Sequence, residues 1–511
     1  MKLKVALLLA GTFVLYASLL ERSPIYLNND ETVFALQARA IAFTAHDESG
    51  RFLPLYFQIV DTVWYHPVIV YVLALFLRVL PLTEAAVRLP TAILAVVNVA
   101  LIVLVAKRIF KSDRIALTAG ALLALTPAHF IHGRLACDYL YPVPFILTWL
   151  LCLAAYLERP RLWVLFAAGL ALGIGFYSYI ASVVMMPVYV LLTWVVLATR
   201  DPRPWRSGLA VAAGFLMPLT LLVNWLIRYP ATFYGATARY HVQDQLQLGV
   251  ATIVWQRALL YFKFFDPWFL FVRGGGAVTS STHRAGVFAL SMMVLLPIGL
   301  YEILRHRRAP LTLVVAAGFV TAPFAATFIN EPYTIDRALA FLPFGALIAA
   351  AGVDRLLSAR TKAVRMAAIV LLALIPLQFA FFYADYLTAY RVRSAFWFNG
   401  NNRGALEEII AAAPPGSTVP VYLSENIPFI HFYWKLYLLK HHREDLLART
   451  VFFTLENLHV DALPPDHIVL TNVDDGVERA LIGSGRMKRV KIIGEPDGMA
   501  TFARLERASR P

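Results

Sequence analysis

Apolar runs long enough to cross a lipid bilayer recur along this chain from residue 5 to about residue 384. A spanning helix needs about 20 predominantly apolar residues, because its backbone polar groups have no water to bind in the hydrocarbon layer. The chain is also 59% hydrophobic and only 15% charged, with a mean hydropathy of +0.64, which argues against an ordinary soluble globular protein. We therefore predict a polytopic α-helical membrane protein.

The basic residues behind the net charge of +14 fall in short clusters between the apolar runs. No nucleic-acid-binding motif accompanies them, and such clusters are typical of cytoplasmic loops. This pattern predicts a cytoplasmic N-terminus and, from about residue 385, an external C-terminal stretch. The clusters are Lys2 and Lys4; Lys107, Arg108, Lys111 and Arg114; Arg159 and Arg161; Arg200, Arg203 and Arg206; Arg305, Arg307 and Arg308; Arg360, Lys362 and Arg365.

With these clusters inside, the sequence predicts about eleven spans. They are 5–21, 88–106, 115–131, 143–157, 162–178, 180–198, 208–227, 285–304, 311–328, 338–356 and 366–384. The first run is interpreted as a span rather than a cleaved signal peptide, because it is near spanning length and lacks a clean small-x-small site.

The apolar stretch 66–81 is short for a span and lies between prolines. If it crossed the membrane, every later basic cluster would change sides, so we interpret it as a re-entrant or interfacial helix. A first external loop then covers 22–87 with three half-buried helical pieces, and a second covers 228–284.

The C-terminal stretch has ordinary polarity and alternates short β-branched runs with helical patterns. This pattern predicts a small α/β domain outside the membrane. The predicted domains are thus a membrane body at 1–384 and a soluble domain at 385–511. The chain has two cysteines, Cys137 and Cys152, the latter within an apolar run, so no disulfide framework is expected.

Two adjacent carboxylates, Asp30 and Glu31, open the helical pattern "ETVFALQARAIA" directly after the first span. In one interpretation Asp30 caps the helix and Glu31 favours its positive end. In the other, a carboxylate at the membrane boundary removes a proton from an acceptor hydroxyl. A cap also fixes its side chain in place, so both can hold.

Further charged residues mark the predicted external loops. Arg134 and Asp138, four residues apart, either form a helical ion pair or belong to a substrate pathway. His66 either belongs to an interfacial Trp-Tyr-His belt or binds a phosphate or a metal. Arg337 either extends toward the interface beside Asp336 or Glu331, or binds a phosphate.

The second large loop contains Gly274, Gly275 and Gly276 next to Arg273, with His283 and Arg284 following. The glycines permit a turn whose N–H groups face an anion, although such a run is also typical of a flexible loop. No Walker loop, dinucleotide fingerprint, HExxH or paired CxxC occurs. A soluble nucleotide donor and a structural zinc site therefore have no support in the sequence.

Taken together, these segments resemble a known family. "DETVFALQARAI" is similar to the acidic opening of the membrane-embedded GT-C glycosyltransferases. "YHPVIVYVLALFLRVL", "TEAAVRLPTAIL" and "HGRLACDYLYPVPF" resemble segments of the protein O-mannosyltransferase and aminoarabinose lipid A transferase group. The resemblance covers about residues 1–355. The chain departs from the pattern at Val68, where many relatives have a second proline, and at His66, where aminoarabinose transferases have lysine, and this weakens lipid A as the acceptor.

The resemblance implies a hexosyl- or pentosyltransferase in the cell (inner) membrane. It would move a sugar from a polyprenyl-phosphate carrier to a lipid, glycan or protein acceptor on the outer face, with inversion at the anomeric carbon. By the same resemblance, Asp30 is the catalytic base, Glu31 orients it or the acceptor, and Asp138 and Arg134 match a second acid and the arginine before it. Arg273, His283, Arg284 and Arg337 are candidate phosphate partners from charge and position.

A lipid monophosphate is already a good leaving group, so neither a diphosphate nor its usual metal is required, although a divalent cation is compatible with this chemistry. Two alternatives stay open. One is a polyprenyl-linked glycan flippase, although transporters usually show two related halves and no internal repeat is found here. The other is a glycan polymerase, which would share the membrane site and differ in its acceptor.

Overall fold

A computed structural model of the chain describes residues 1–60, 62–240, 249–305, 310–329, 331–458 and 463–508. Arg307 and Arg308 of one basic cluster, and residues 241–248 of the predicted loop 228–284, lie outside this set. The described chain is mostly helical.

The helices, in chain order, are α1 Lys2–Ala17, α2 Asn29–Thr44, α3 Pro67–Leu77, α4 Glu84–Phe110, α5 Asp113–Ala124, α6 Pro127–His132, α7 Pro142–Glu158, α8 Leu162–Gly175, α9 Ser182–Arg200, α10 Pro204–Arg228, α11 Thr232–Ala236, α12 Val250–Lys263, α13 Met292–Arg305, α14 Pro310–Thr321, α15 Phe341–Leu357, α16 Lys362–Leu387, α17 Ala389–Arg393, α18 Asn402–Ala412, α19 Ile430–His441 and α20 Gly476–Gly483. The strands are β1 Phe57–Val60, β2 Val63–Tyr65, β3 Val421–Ser424, β4 Thr450–Phe453, β5 Ile468–Asn472, β6 Met487–Gly494 and β7 Ala500–Arg507.

Each of the eleven predicted spans contains a helix. Among the described residues, six helical stretches are long and apolar enough to cross a membrane: Glu84–Phe110, Asp138–Glu158, Ser182–Arg200, Pro204–Arg228, Pro310–Phe328 and Lys362–Leu387. The helices of the other five predicted spans have 12 to 17 residues. The number of spans therefore stays a prediction.

The chain divides into two compact units. The first unit comprises Met1–Ser18, Ser49–Val72 and Arg88–Ala384. The second unit comprises Leu19–Glu48, Leu73–Val87 and Asp385–Pro511. The predicted domains at 1–384 and 385–511 stay a prediction, because two stretches of the first external loop belong to the same unit as the C-terminal stretch.

Small residues let the helices of the first unit approach closely. A Cβ atom at Gly169 of α8 would collide with the backbone of α10, and one at Gly214 of α10 would collide with the backbone of α8. Gly299 of α13 and Gly352 of α15 have the same relation. Such contacts are typical of membrane helices, where van der Waals packing rather than the hydrophobic effect holds neighbours together.

The first external loop departs from the prediction in one respect. Two of its three predicted helical pieces correspond to α2 and α3, but the stretch between them is an antiparallel β-hairpin of β1 and β2. Aromatic and β-branched residues in "FQIV" and "VWY" favour strands. The sequence analysis predicted no strand in this loop, so the hairpin was missed. α3 has 11 residues, and its interfacial position stays a prediction.

The second unit contains a five-stranded sheet in the order β4-β3-β5-β7-β6. β3 pairs in parallel with both β4 and β5, whereas β7 pairs antiparallel with β5 and β6. Ile468 and Leu470 of β5 pack in the core that contains α18 and α19. Val469 between them packs in the core that contains α20. Both faces of the sheet are therefore covered, which explains the apolar character of the central strand.

Candidate active site

The two carboxylates that open α2 have different roles in the second unit. Asn28 is the N-cap: its side chain accepts a hydrogen bond from the Glu31 N–H at 2.8 Å, and the Glu31 Oε2 accepts one from the Asn28 N–H at 3.0 Å. This is a capping box, and Glu31 is fully buried in it. The interpretation of Asp30 as the cap was therefore wrong.

Asp30 lies in the first turn of α2 and is half-buried. Its Oδ1 accepts a hydrogen bond from the side-chain amide of Asn29 at 3.1 Å. Because the capping box uses Asn28 and Glu31, the carboxylate of Asp30 is not needed as the cap. It also lies at the positive end of the helix, which favours a negatively charged group.

Arg134 is fully buried in the first unit and binds the end of α1. Its Nη1 donates to the carbonyl oxygens of Tyr16 at 2.8 Å and of Ser18 at 2.7 Å. These carbonyls belong to the last turn and the C-cap of α1, where backbone acceptors have no partner within the helix. Arg134 therefore holds the end of α1, and its positive charge suits the negative helix end.

Asp138 begins a 3-10 turn, Asp138–Leu140, directly before α7, and is buried. Burial is the main cause of the raised pKa of Tyr179, and the charge of Asp138 raises it further. Asp138 therefore lies close enough to Tyr179 to disfavour the ionised form of its hydroxyl.

Arg337 ends the 3-10 turn Ile335–Arg337, and its guanidinium carbon lies 6.0 Å from the ring centre of Tyr179 and 5.8 Å from that of Tyr240. Its Nε and Nη1 are buried and have no hydrogen-bond partner among the described residues. Burial lowers the pKa of Arg337, but Tyr179 and Asp336 raise it, and the net effect is an increase. The side chain is thus a fixed cation with donors left to bind an anion.

His66 is buried next to aromatic residues of the first unit. Its ring centre lies 5.4 Å from that of Tyr56, which in turn lies 6.0 Å from that of Tyr177. Burial lowers the pKa of His66 to about 3. The imidazole is therefore neutral at pH 7, and its Nε2 has no hydrogen-bond partner among the described residues.

The glycine-rich loop uses backbone N–H groups within the protein. The N–H of Gly274 donates to the carbonyl of Phe269, and that of Gly276 donates to the carbonyl of Tyr333 at 3.1 Å. These two N–H groups are therefore not directed at an anion, contrary to that interpretation of the loop. Arg273 and Arg284 are exposed, and His283 contacts the Gly276 carbonyl at 3.1 Å.

A groove of about 970 Å³ opens in the first unit. Its wall is mostly apolar and includes Pro54, Pro67, Tyr71, Tyr177, Pro218 and Leu221. Arg51 also lines it, with its guanidinium carbon 4.8 Å from the ring centre of Trp64 and 5.5 Å from that of Tyr229. The sequence analysis missed Arg51, because a single arginine in a polar loop carries no local signal.

A short connection joins this groove to Arg337. Tyr177 lines the groove, and Tyr179 lines a small cavity of about 20 Å³ together with Asp336 and Arg337. Two residues of extended chain span at most about 7 Å. Tyr177 of the groove and Tyr179 of the small cavity are therefore close in the chain, with one residue between them.

Comparisons with known proteins give the following matches. Residues 65–227 match the family model described as dolichyl-phosphate-mannose-protein mannosyltransferase. The structure resembles that of ArnT from Cupriavidus metallidurans bound to undecaprenyl phosphate, with a TM-score of 0.62 and 14% sequence identity. It also resembles ArnT from the same organism in the apo state, with a TM-score of 0.58 and 15% sequence identity. Each match covers 98% of this chain and 97% of ArnT. An Archaeoglobus fulgidus oligosaccharyltransferase tethered to an acceptor peptide matches with a TM-score of 0.50 and 13% identity, over 99% of this chain and 74% of that one. No curated protein sequence matches the chain.

This chain has the fold of the GT-C membrane glycosyltransferases.

Within this GT-C fold, the structure brings together two of the predicted site residues, Asp138 and Arg337, around Tyr179. Asp30 and Glu31 belong to the second unit. The remaining candidates of the first unit have other surroundings. Arg134 binds the end of α1, and the ring of His66 packs against that of Tyr56. The glycine-rich loop contains Arg273, His283 and Arg284. In the described part of the chain, no group of three or more His, Cys, Asp or Glu residues has a metal-binding arrangement.

Proposed function

We propose that this GT-C protein transfers a sugar from a polyprenyl-phosphate carrier to an acceptor hydroxyl on the outer face of the cell membrane. One observation carries the proposal: Tyr177 lines an apolar groove, and Tyr179, two residues later, lies against a half-buried cation whose Nε and Nη1 have no hydrogen-bond partner among the described residues. An isoprenoid phosphate has the same two parts, a long apolar chain and a compact anion. The ArnT structure that shares this fold contains such a lipid, undecaprenyl phosphate.

The groove suits the isoprenoid chain. Its volume of about 970 Å³ falls in the range of ligand sites, which is roughly 300–1,000 Å³. Its mostly apolar wall would bury the hydrocarbon, and Arg51 and Arg228 give the groove two positively charged positions. In this assignment the first isoprene units lie against Tyr177, and the phosphate lies toward Tyr179.

Arg337 is the group that we assign to the phosphate. During transfer the bond between the anomeric carbon and the phosphate oxygen breaks, and the phosphate leaves with an additional negative charge. A preorganised cation away from bulk water stabilises that charge more strongly than water does. Arg337 meets this requirement because its Nε and Nη1 make no hydrogen bond to described residues.

Asp30 is the proposed general base. It would take the proton of the acceptor hydroxyl as the oxygen attacks the anomeric carbon from the side opposite the phosphate, so that the configuration inverts. The capping box is consistent with this role, because Asn28 and Glu31 cap the helix end and Asp30 is not required for capping.

Asp30→Asn tests the base assignment, because the amide keeps the shape of the carboxylate and cannot take a proton at neutral pH. A general base contributes about 10²- to 10⁴-fold to the rate, so we expect a loss in that range. A deletion strain is compared by glycolipid and glycoprotein mass spectrometry with strains that express the wild type or Asp30→Asn at equal membrane levels. Restoration of the missing glycoconjugate by Asp30→Asn at the wild-type rate would remove the base assignment.

The proposed orientation has its own test. In a Cys137→Ala, Cys152→Ala background, Glu456→Cys in the C-terminal stretch should react with a membrane-impermeant thiol reagent applied to intact cells. Arg161→Cys, in the connection between α7 and α8, should react only after the membrane is opened. Both positions are exposed, so accessibility within the fold does not limit labelling. The reverse pattern would place the C-terminal stretch in the cytoplasm.

A further inference from the structure

The C-terminal stretch contacts the start of α2 within the second unit. The side-chain oxygen of Asn399 accepts a hydrogen bond from the backbone N–H of Asn29 at 3.2 Å. The hydroxyl of Tyr433, on α19, donates to the carbonyl of Leu27 at 3.0 Å. Residues 27–29 therefore bind side chains that lie about 370 to 406 residues later in the chain.

The hydrogen bond from Asn29 to Asn399 satisfies a donor that the helix itself cannot satisfy. The first N–H groups of a helix have no partner within it. In α2 the capping box serves the N–H groups of Glu31 and Asn28, and Asn399 serves that of Asn29. The chain of contacts then continues, because the side-chain amide of Asn29 donates to Oδ1 of Asp30 at 3.1 Å.

The loop that carries Asn399 is held firmly. The Asn399 carbonyl accepts a hydrogen bond from the Asn402 side chain at 2.7 Å. Asn401 donates from its backbone N–H to Glu495 and from its side chain to the Gly494 carbonyl, each at 2.8 Å. Asn399 itself has a φ of 64°, a left-handed conformation that asparagine, aspartate and glycine adopt more readily than other residues.

We propose that Asn399 is a positioning residue for the proposed base Asp30, acting through Asn29. By fixing the backbone of Asn29, it fixes the amide that holds one oxygen of the Asp30 carboxylate. The C-terminal stretch thus takes part in the transfer step instead of serving only as an attached module. This inference rests on the proposed function of Asp30.

Two substitutions at one position test the proposal. Asn399→Gly keeps the left-handed backbone and removes the accepting oxygen, whereas Asn399→Asp keeps both. We expect Asn399→Gly to lower kcat about 10-fold, since small misplacements of catalytic groups have effects of this order or larger. The KM for the polyprenyl-phosphate sugar and the melting temperature should stay at wild-type values. Asn399→Asp should restore most of the rate when assayed at pH 8, where added carboxylates are ionised.

Asp474→Gly is the matched control. Asp474 also has a positive φ, 56°, and its carboxylate pairs with Arg489 at 2.9 Å, within the same unit. Replacement by glycine there makes the same kind of change without touching α2, so kcat should not change. One result would overturn the proposal: a lower melting temperature in Asn399→Gly, together with losses of kcat that are equal in Asn399→Gly and Asn399→Asp. It would show that Asn399 only stabilises the fold.

The outcome for Asp30 separates the two proposals. If Asp30→Asn is inactive while Asn399→Gly has the wild-type kcat, the positioning role is wrong and the proposed function stands. If Asp30→Asn keeps the wild-type rate, the base assignment itself is wrong, whatever Asn399→Gly does. If Asp30→Asn is inactive and only Asn399→Asp approaches the wild-type rate, both proposals are supported.

Discussion

The regions around Arg134 and around Arg337 both place an arginine in a predicted external loop of the first unit, but they use it differently. Arg134 is fully buried and donates two hydrogen bonds to carbonyls at the end of α1. Arg337 is half-buried, lies against Tyr179 and Tyr240, and has two nitrogens without a partner among the described residues. An arginine whose Nη1 holds two backbone carbonyls stabilises the fold, whereas a cation whose Nε and Nη1 make no hydrogen bond to described residues can bind a substrate anion.

The largest expected effect is on stability, from Arg134→Leu. The substitution leaves the carbonyls of Tyr16 and Ser18 without this donor, and each buried acceptor that loses its partner costs about 1–3 kcal/mol. We expect a marked fall in the melting temperature of the purified protein in detergent. The melting temperature of Arg134→Lys, which keeps the positive charge, should fall less. An unchanged melting temperature with lost activity would place Arg134 in the reaction instead.

The next effect is on catalysis, from Arg337→Gln. Loss of a preorganised group that stabilises transition-state charge costs about 10²-fold or more in kcat, or at least about 2.7 kcal/mol. The melting temperature should stay close to the wild-type value, because no hydrogen bond of Nε or Nη1 to a described residue is lost. Arg284→Gln, at an exposed arginine of the glycine-rich loop, is the control and should change kcat less than 3-fold. Equal losses of kcat in Arg337→Gln and Arg284→Gln would show that Arg337 has no special role in catalysis.

A smaller effect concerns pH and His66. Because burial lowers the pKa of His66 to about 3, the unfolded chain, with an ordinary histidine pKa near 6.5, binds the proton more readily. The contribution of His66 to stability is therefore complete above about pH 6.5 and is lost as the pH falls toward 3, by at most about 1.4 kcal/mol per pH unit.

Thermal denaturation at pH 7, 6 and 5 measures this dependence. The melting temperature of His66→Phe should fall less steeply with acidification than that of the wild type. His431→Gln, at an exposed histidine, should follow the wild-type curve. Parallel curves for His66→Phe and the wild type would show that the ring is not buried as a neutral group.

The smallest effect comes from Glu31, the neighbour of the proposed base. Glu31→Ala removes the acceptor of the Asn28 N–H and should lower the free energy of unfolding by about 1 kcal/mol, as loss of a helix cap does. Glu31→Gln keeps an acceptor and should have no such effect. Neither variant should change kcat more than about 3-fold, whereas Asp30→Asn should be inactive. A large loss of kcat in Glu31→Gln would give both carboxylates a role in the reaction.

Local patterns predicted much of the secondary structure. Each of the eleven predicted spans contains a helix, and the C-terminal stretch, where short β-branched runs predicted strands, contains β3 to β7. Two local signals were missed. Asn28 and Glu31 have the spacing of a capping box, and the aromatic and β-branched residues of "FQIV" and "VWY" favour strands.

The candidate site was less accessible from the sequence. Asp138 and Arg337 lie 199 residues apart in the chain, and neither residue type nor spacing indicates that both contact the surroundings of Tyr179. The hydrogen bond between Asn29 and Asn399 joins residues 370 positions apart. Arg134 and Arg337 looked alike in the sequence, because the carbonyls that occupy Arg134 belong to a different helix.

Hydrophobic runs by themselves determined that this chain forms many apolar helices and roughly where those helices lie. These properties depend on neighbours within a few residues, so the local sequence is enough to predict them. Only the tertiary structure decided which charged groups have occupied donors and which remain to bind a ligand. That difference depends on atoms contributed by distant segments, and the free energy of a buried charge is set by the partners that folding brings to it.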